Sequence, residues 1–327
     1  MAVNRNANHV HNGFHFQTAA AISLLIDHLD DFLAIKNEGS EDIEICLKDG
    51  CVVYAQAKAS YDEESKNSTR DLKKGLTTLS ESSHLVENHK LVYITNIKTM
   101  LGSNTERDAF PSGVSVSFDA IGELNKKLVC NYAPESFDYN SFSIQFLRYV
   151  GENGSETEWI IGKIRDDFSE RGDMIRTLSP KFVFETWVRY LDSNASNKDT
   201  SIKCDRSRIV WGMILHKINH IENSLYQESV EDYSIVSDSY SDLVDSISGR
   251  FEIMSRIIGD YRIEKNKLKI NNDFFDKFAA DYWQEYRDIL EALDVDEVVK
   301  EKILKILIQT VLMKRNVIRS VCNEMKI

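Results

Sequence analysis

Apolar residues recur three and four positions apart at Ile22, Leu25, Ile26, Leu29 and Leu33, which predicts a helix over residues 14–33. Phe32 to Ile35 (Phe-Leu-Ala-Ile) opens a strand-like run, Asp42 to Leu47 alternates acid and apolar, and Cys51 to Ala59 is again β-like. A polar loop rich in Glu, Ser and Asn follows. Residues 69–88 return to helical spacing through Leu72, Leu76 and Leu79, and Leu-Val-Tyr-Ile-Thr within His89–Thr95 reads as a short buried strand. The expected order, α-β-β-β-α-β, describes a mixed sheet flanked by helices. Val114–Phe118 and Ser141–Phe146 add two strand candidates. Beyond about residue 155 the pattern turns helical, with Ile303, Ile306, Leu307, Thr310, Val311 and Met313 inside a densely charged last third. Asp294, Asp296 and Glu297 read as a helix start, where acids favour the N-terminal end. Gly151 to Ser155 is the best linker. It divides an α/β domain (1–152) from a mostly α-helical domain (153–327) suited to oligomerisation or partner docking.

The two β runs between Asp42 and Lys58 flank Lys48-Asp49-Gly50, a hairpin turn. A two-residue turn at Asp49-Gly50 would pair Lys48 with Cys51, placing Ile43 opposite Gln56 and Ile45 opposite Tyr54. A three-residue loop with Gly50 in the left-handed region pairs Leu47 with Cys51 instead. Ile45 then faces Val53, Ile43 faces Ala55, and one face is continuously apolar. A one-residue slip would move every side chain to the wrong face, so the three-residue loop is expected. In that register Asp42 lies opposite Gln56, and Lys58 points to the same side as Gln56.

A carboxylate, an amide and an ammonium thus meet at one end of a hairpin, on the face away from the apolar side. Asp42 can bind a divalent cation such as Mg²⁺ or Mn²⁺, and Gln56 can supply an oxygen ligand. Lys58 can orient a water or stabilise charge developing on a phosphate. The competing interpretation is a surface hairpin with ordinary polar residues on its wet face.

Composition narrows the setting. The formal charge is −12, and residues 1–150 carry 14 Lys+Arg against 20 Asp+Glu. A self-sufficient DNA binder usually carries a basic stripe, so affinity for DNA would come from a local patch, several copies or another subunit. Five scattered cysteines without a Cys-x-x-Cys pair argue against a disulfide framework or a cysteine zinc site. No apolar run approaches the roughly 20 residues that cross a bilayer, and no signal peptide is evident, so a cytoplasmic protein without a membrane partner is expected.

Gly13-Phe-His-Phe-Gln17-x-Ala19-Ala20, then Glu38, Glu41-Asp42-Ile43 and Gln56-Ala-Lys58, together resemble the dsDNA endonuclease domain of CD-NTase-associated effectors in bacterial anti-phage defence. That domain is a PD-(D/E)xK nuclease. The likeness covers about residues 10–100. Gln56 stands where many PD-(D/E)xK enzymes have an acid, but glutamine is usual in this branch. The resemblance implies a mixed-sheet nuclease core in which Asp42 and Gln56 hold the metal and Lys58 is the catalytic lysine. Glu38, a further metal ligand, and Gln17 complete the site. Glu41 is ranked lower, because it should point to the other strand face. As a whole the chain is similar to nuclease subunits of Lamassu-type systems, where an SMC-like ATPase restrains the nuclease. A HerA-type translocase is the alternative partner, and self-association is a further expectation. The alternative function is a subunit that keeps the nuclease fold but only binds DNA or a partner.

Other signals are weaker. Lys66, Arg70, Lys73 and Lys74 form the densest basic cluster of the first domain, either a solvated helix face or a phosphate-contacting patch. His216 and His220 have a zinc-compatible spacing but no third ligand. His9, His11 and His15 are expected in a polar segment before the first helix. Trp187, Tyr190, Trp211 and Tyr226 read as helix-packing core. No Walker A loop is present.

Overall fold

The structure, a computed structural model, describes residues 5–60, 68–148, 155–196, 203–218, 230–246, 252–270, 273–291 and 293–327. The chain divides into two compact units: residues 1–167 with 184–206, and residues 168–183 with 207–327. The first carries the sheet; the second is helical among its described residues. The linker expected at Gly151–Ser155 lies almost wholly outside the described residues.

The first unit opens with α1 (Arg5–Asp27), followed by β1 (Phe32–Asn37), β2 (Ile43–Leu47) and β3 (Val52–Lys58). Next come α2 (Ser68–Ser82), β4 (His89–Thr95), β5 (Ser115–Ser117), α3 (Gly122–Tyr132), β6 (Phe142–Phe146) and α4 (Ser155–Glu170). After α5 (Asp173–Arg176), which belongs to the second unit, most of α6 (Pro180–Ala195) and β7 (Cys204–Asp205) complete it. The sheet order is β5-β6-β4-β3-β2-β1-β7. The β1-β2-β3 meander is antiparallel, whereas β3, β4 and β6 run parallel, so the expected mixed sheet is observed.

The hairpin adopts the three-residue register. Ile43 pairs with Ala55 and Ile45 with Val53, the Leu47 N–H donates to the Cys51 carbonyl at 2.8 Å, and Gly50 has φ 81°. The positive φ is the conformation that a residue with a Cβ resists. Both faces of the sheet are nonetheless covered. α1 lies against β1, β2 and β3. On the opposite face Tyr54, Leu91, Tyr93, Phe142 and Ile144 form one core with Leu72, Leu76 and Leu79 of α2 and Val129 of α3. The hairpin is therefore not a free surface feature. The face carrying Tyr54 and Gln56 is roofed by α2, so closely at Gly75 that a Cβ there would lie 2.7 Å from the Tyr93 ring.

The first helix differs from expectation at both ends. It begins at Arg5, which places His9, His11 and His15 within it, and it stops at Asp27. The Phe32 N–H caps the His28 carbonyl at 2.9 Å, and Leu33 is 47% exposed on β1. Buried Arg206 fixes this corner by donating to the carbonyls of Leu29 and Phe32 at 2.8 and 3.0 Å.

In the second unit α7 (Arg206–Ile218), α8 (Val230–Ser246), α9 (Glu252–Lys267), α10 (Phe275–Tyr282), α11 (Glu297–Met313) and α12 (Arg315–Glu324) follow in order. The apolar face of α11, with Ile303, Leu304, Leu307 and Val311, is fully buried, and α8, α9 and α10 pack on it. Asp296 caps α11 as expected, its carboxylate accepting from the Val299 N–H at 2.9 Å. Trp187, Tyr190 and Trp211 are buried, as core residues should be; Tyr226 and His220 lie outside the described residues, as does the side chain of His216. None of the five cysteines is in a disulfide. No helix among the described residues is long and apolar enough to cross a membrane.

Candidate active site

The β1–β2 connection folds back on itself. Glu38 takes φ 59°, its N–H donates to the Asp42 carbonyl at 3.0 Å, and the Gly39 N–H donates to the Glu41 carbonyl at 2.9 Å. The same Asp42 carbonyl accepts from Gln17 Nε2 of α1 at 2.7 Å. A helix side chain and a turn N–H therefore hold the backbone of Asp42, and its carboxylate swings over the end of β3.

There β3 outruns β2. The last paired residue is Ala55, so the Ala57 N–H has no partner on that side from the sheet. Asp42 Oδ2 accepts it at 2.9 Å, and Lys58 Nζ approaches the same oxygen at 3.1 Å. Both side chains are partly open to solvent. Oδ1 accepts no hydrogen bond among the described residues. On the far side of Lys58 the strand is pinned to β4: Thr95 Oγ1 donates to the Lys58 carbonyl at 2.7 Å, and Asn96 brackets Ser60 with two hydrogen bonds.

Of the three expected partners Asp42 and Lys58 meet, whereas the Gln56 amide turns to Glu41, which corrects the reading of that residue. The expectation sent Glu41 to the other face on strand alternation. Residues 38–42 form a turn rather than a strand, and the alternation does not apply. Glu41 is buried at 3% exposure under α2. It accepts from Gln56 Nε2 at 2.6 Å and from Ser82 Oγ at 2.5 Å. Burial pushes its carboxyl up to about 7, with Asp42 adding to the rise, while the two hydrogen bonds and Lys58 oppose it. Gln56 is likewise buried. The setting is a polar network sealed by a helix, not the wet face of a hairpin.

The donor set can be judged by its chemistry. Gln56 commits its amide nitrogen to a carboxylate, which leaves its carbonyl oxygen as the available ligand atom. With Asp42 Oδ1 this makes two protein oxygens. Mg²⁺ is commonly bound by one or two carboxylates with water and substrate phosphate completing the shell, so the set fits a hard divalent cation. No cluster of three or more His, Cys, Asp or Glu suited to a metal occurs among the described residues.

The other expected site residues fall beside this centre. Glu38 is exposed, and its carboxylate makes no hydrogen bond or ion pair with Asp42, Gln56 or Lys58. It and Gln17 line an adjoining cleft. Arg70, Lys73 and Lys74 are exposed on α2, on the side opposite Leu72, Leu76 and Leu79. Lys66 lies outside the described residues. Ser82 had no signal in the sequence: it lies 41 residues from Glu41, and only the α2 crossover brings them together.

No protein-family model matches this chain, and neither a curated protein nor a solved structure matches it significantly.

Proposed function

We propose that the chain is a metal-dependent DNA endonuclease with a PD-(D/E)xK-type core, and that it serves as the effector of a bacterial anti-phage defence complex. The observation that carries this reading is the pairing of Asp42 with Lys58, 3.1 Å apart at the open end of β3, with Gln56 two residues back on the same strand. The resemblance of the Gln17, Glu38, Asp42 and Gln56-Ala-Lys58 pattern to the endonuclease domain supports it.

In this reading Asp42 Oδ1 and the Gln56 carbonyl would hold the cation. A bound Mg²⁺ or Mn²⁺ supplies Lewis acidity toward the phosphate and a more acidic water. Lys58 places a positive charge beside the phosphate and donates to the oxygen on which charge accumulates. Glu41 holds the Gln56 amide so that its nitrogen faces inward, and Gln17 fixes the Asp42 backbone. Arg70, Lys73 and Lys74 on the helix above offer a path for the DNA backbone.

The charge of −12 favours delivery of DNA by another subunit. An SMC-like ATPase of the Lamassu type is the preferred partner, a HerA-type translocase the alternative; the helical unit is the docking or self-association element.

The test is incubation of the purified chain with plasmid and linear duplex DNA plus Mg²⁺ or Mn²⁺, beside Asp42→Ala and Lys58→Ala. Cleavage by the wild type that falls by about 10²-fold or more in both variants is the expected result. A chain silent both alone and assembled with its ATPase would instead be a subunit that binds without cutting.

A further inference from the structure

Next to the hairpin end the sheet-bearing unit has an open cleft of about 380 Å³, with Phe14, Gln17, Asn37, Glu38 and Asp192 in its walls. It shares a wall with the candidate active site, since Gln17 and the Glu38 N–H both hold the carbonyl of Asp42. Whatever fills the cleft lies beside the phosphate that Asp42 and Lys58 would face.

Its chemistry differs from that of a phosphate track. Among the described residues no Lys or Arg lines it; two carboxylates, Glu38 and Asp192, outnumber the single imidazole of His15. Asp192 is fixed by Thr18 Oγ1, which donates to Oδ1 at 2.8 Å. Asn37 is buried at 3% exposure, and its Oδ1 has no hydrogen-bond partner among the described residues. Phe14 leaves 52% of its surface open on α1. An anion would be repelled here. A flat, neutral ring bearing amino groups matches an aromatic platform edged with acceptors.

We propose that this cleft receives one unstacked nucleobase flanking the scissile phosphate. Phe14 stacks on the base, and Glu38 and Asp192 accept from its exocyclic amino group. The proposal rests on the nuclease reading above and deepens it by naming the substrate: DNA with an unpaired or easily extruded base next to the cut. Extrusion costs least where pairing is already broken, and stacking on one aromatic ring recovers an amount that corresponds to roughly tenfold or more in affinity. Adenine, cytosine and guanine carry an exocyclic amino group; thymine does not.

The full chain is tested with Mn²⁺ on three hairpin duplexes: fully paired, with one unpaired adenine, and with one unpaired thymine. The wild type should cut the adenine substrate about tenfold faster than the paired one, with thymine between them. Phe14→Ala, at an exposed position that does not threaten the fold, and Asp192→Asn, which keeps an acceptor for Thr18 but adds a donor, should each bring the three rates together. Equal wild-type rates on all three substrates, or an adenine advantage that survives in both variants, would overturn the base subsite while leaving the nuclease standing. Absence of cleavage on every substrate, by the chain alone and by the chain assembled with its ATPase, would remove the nuclease reading and the subsite with it.

Discussion

Replacing Glu41 with glutamine should change how the stability of the sheet-bearing unit depends on pH. Glu41 sits at 3% exposure with its carboxyl raised from 4.5 to about 7, chiefly by burial. In the unfolded chain the group ionises at its ordinary value, so between these limits the folded state holds a proton that the unfolded state has released. Stability is then fully present below about pH 4.5 and is lost as pH rises through about 7. The interval is about 2.5 pH units, and at about 1.4 kcal/mol per unit it amounts to about 3.5 kcal/mol in full. Glutamine is isosteric and never ionises. Its carbonyl can accept from Gln56 Nε2, and its amide can donate to Ser82 Oγ, so both contacts of the native residue survive. The assay is native-state hydrogen exchange of β3 and β4 amides in metal-free protein, converted to opening free energies across pH 4.5 to 7.5. Other titrating groups contribute equally to both proteins. The wild type should therefore lose about 3 kcal/mol more than Glu41→Gln over that range. Parallel pH profiles would refute the argument, because they would mean that Glu41 ionises in the folded protein as it does in water.

Two further outcomes follow from α2. Gly75→Ala places a methyl 2.7 Å from the ring of Tyr93, which is fully buried and cannot swing aside. The strain, about 1–3 kcal/mol, exceeds the roughly 1 kcal/mol that alanine gains in a helix, so the melting temperature should fall; a rise would show that α2 can lift without cost. On the outer side of the same helix, alanine at Arg70, Lys73 and Lys74 together should flatten the dependence of log DNA affinity on log salt by up to about 0.9 per charge removed; an unchanged slope would place the DNA elsewhere.

The sequence was most informative where two independent constraints agreed. The hairpin register followed from the apolar alternation of Ile43, Ile45, Val53 and Ala55 together with a glycine at the only position that needs a positive φ. Neither constraint alone fixes it, since the two-residue turn is equally good turn chemistry. Once the register was set, the placement of Asp42 beside Lys58 was a consequence of strand geometry. The failures share a different cause. Strand alternation does not hold through residues 38–42, where Glu38 turns the chain, and applied there it puts Glu41 on the wrong face. The helical repeat of apolar residues runs past the helix end at Asp27, because Leu29 is as buried in a turn as it would be in a helix. A polarity pattern reports burial, and burial does not report which backbone produced it.

That distinction bears on the site itself. Seen as strand residues, Asp42, Gln56 and Lys58 are three polar groups on an exposed edge, and such groups are common and inexpensive. The structure puts Gln56 under α2 beside a second buried acid, with Ser82 of that helix bound to Glu41. A buried carboxyl held near neutrality is costly to keep, and a hydrophobic residue at position 41 would satisfy a merely structural role better. Its hydrogen bond commits the amide nitrogen of Gln56 and leaves the carbonyl oxygen available, two residues along β3 from Lys58 and its ion pair with Asp42. The energetic cost at Glu41 is thus coupled to the orientation of Gln56. If Glu41→Leu, which releases the Gln56 amide, proves more stable at neutral pH yet cleaves DNA less well, the network exists for the chemistry and not for the fold.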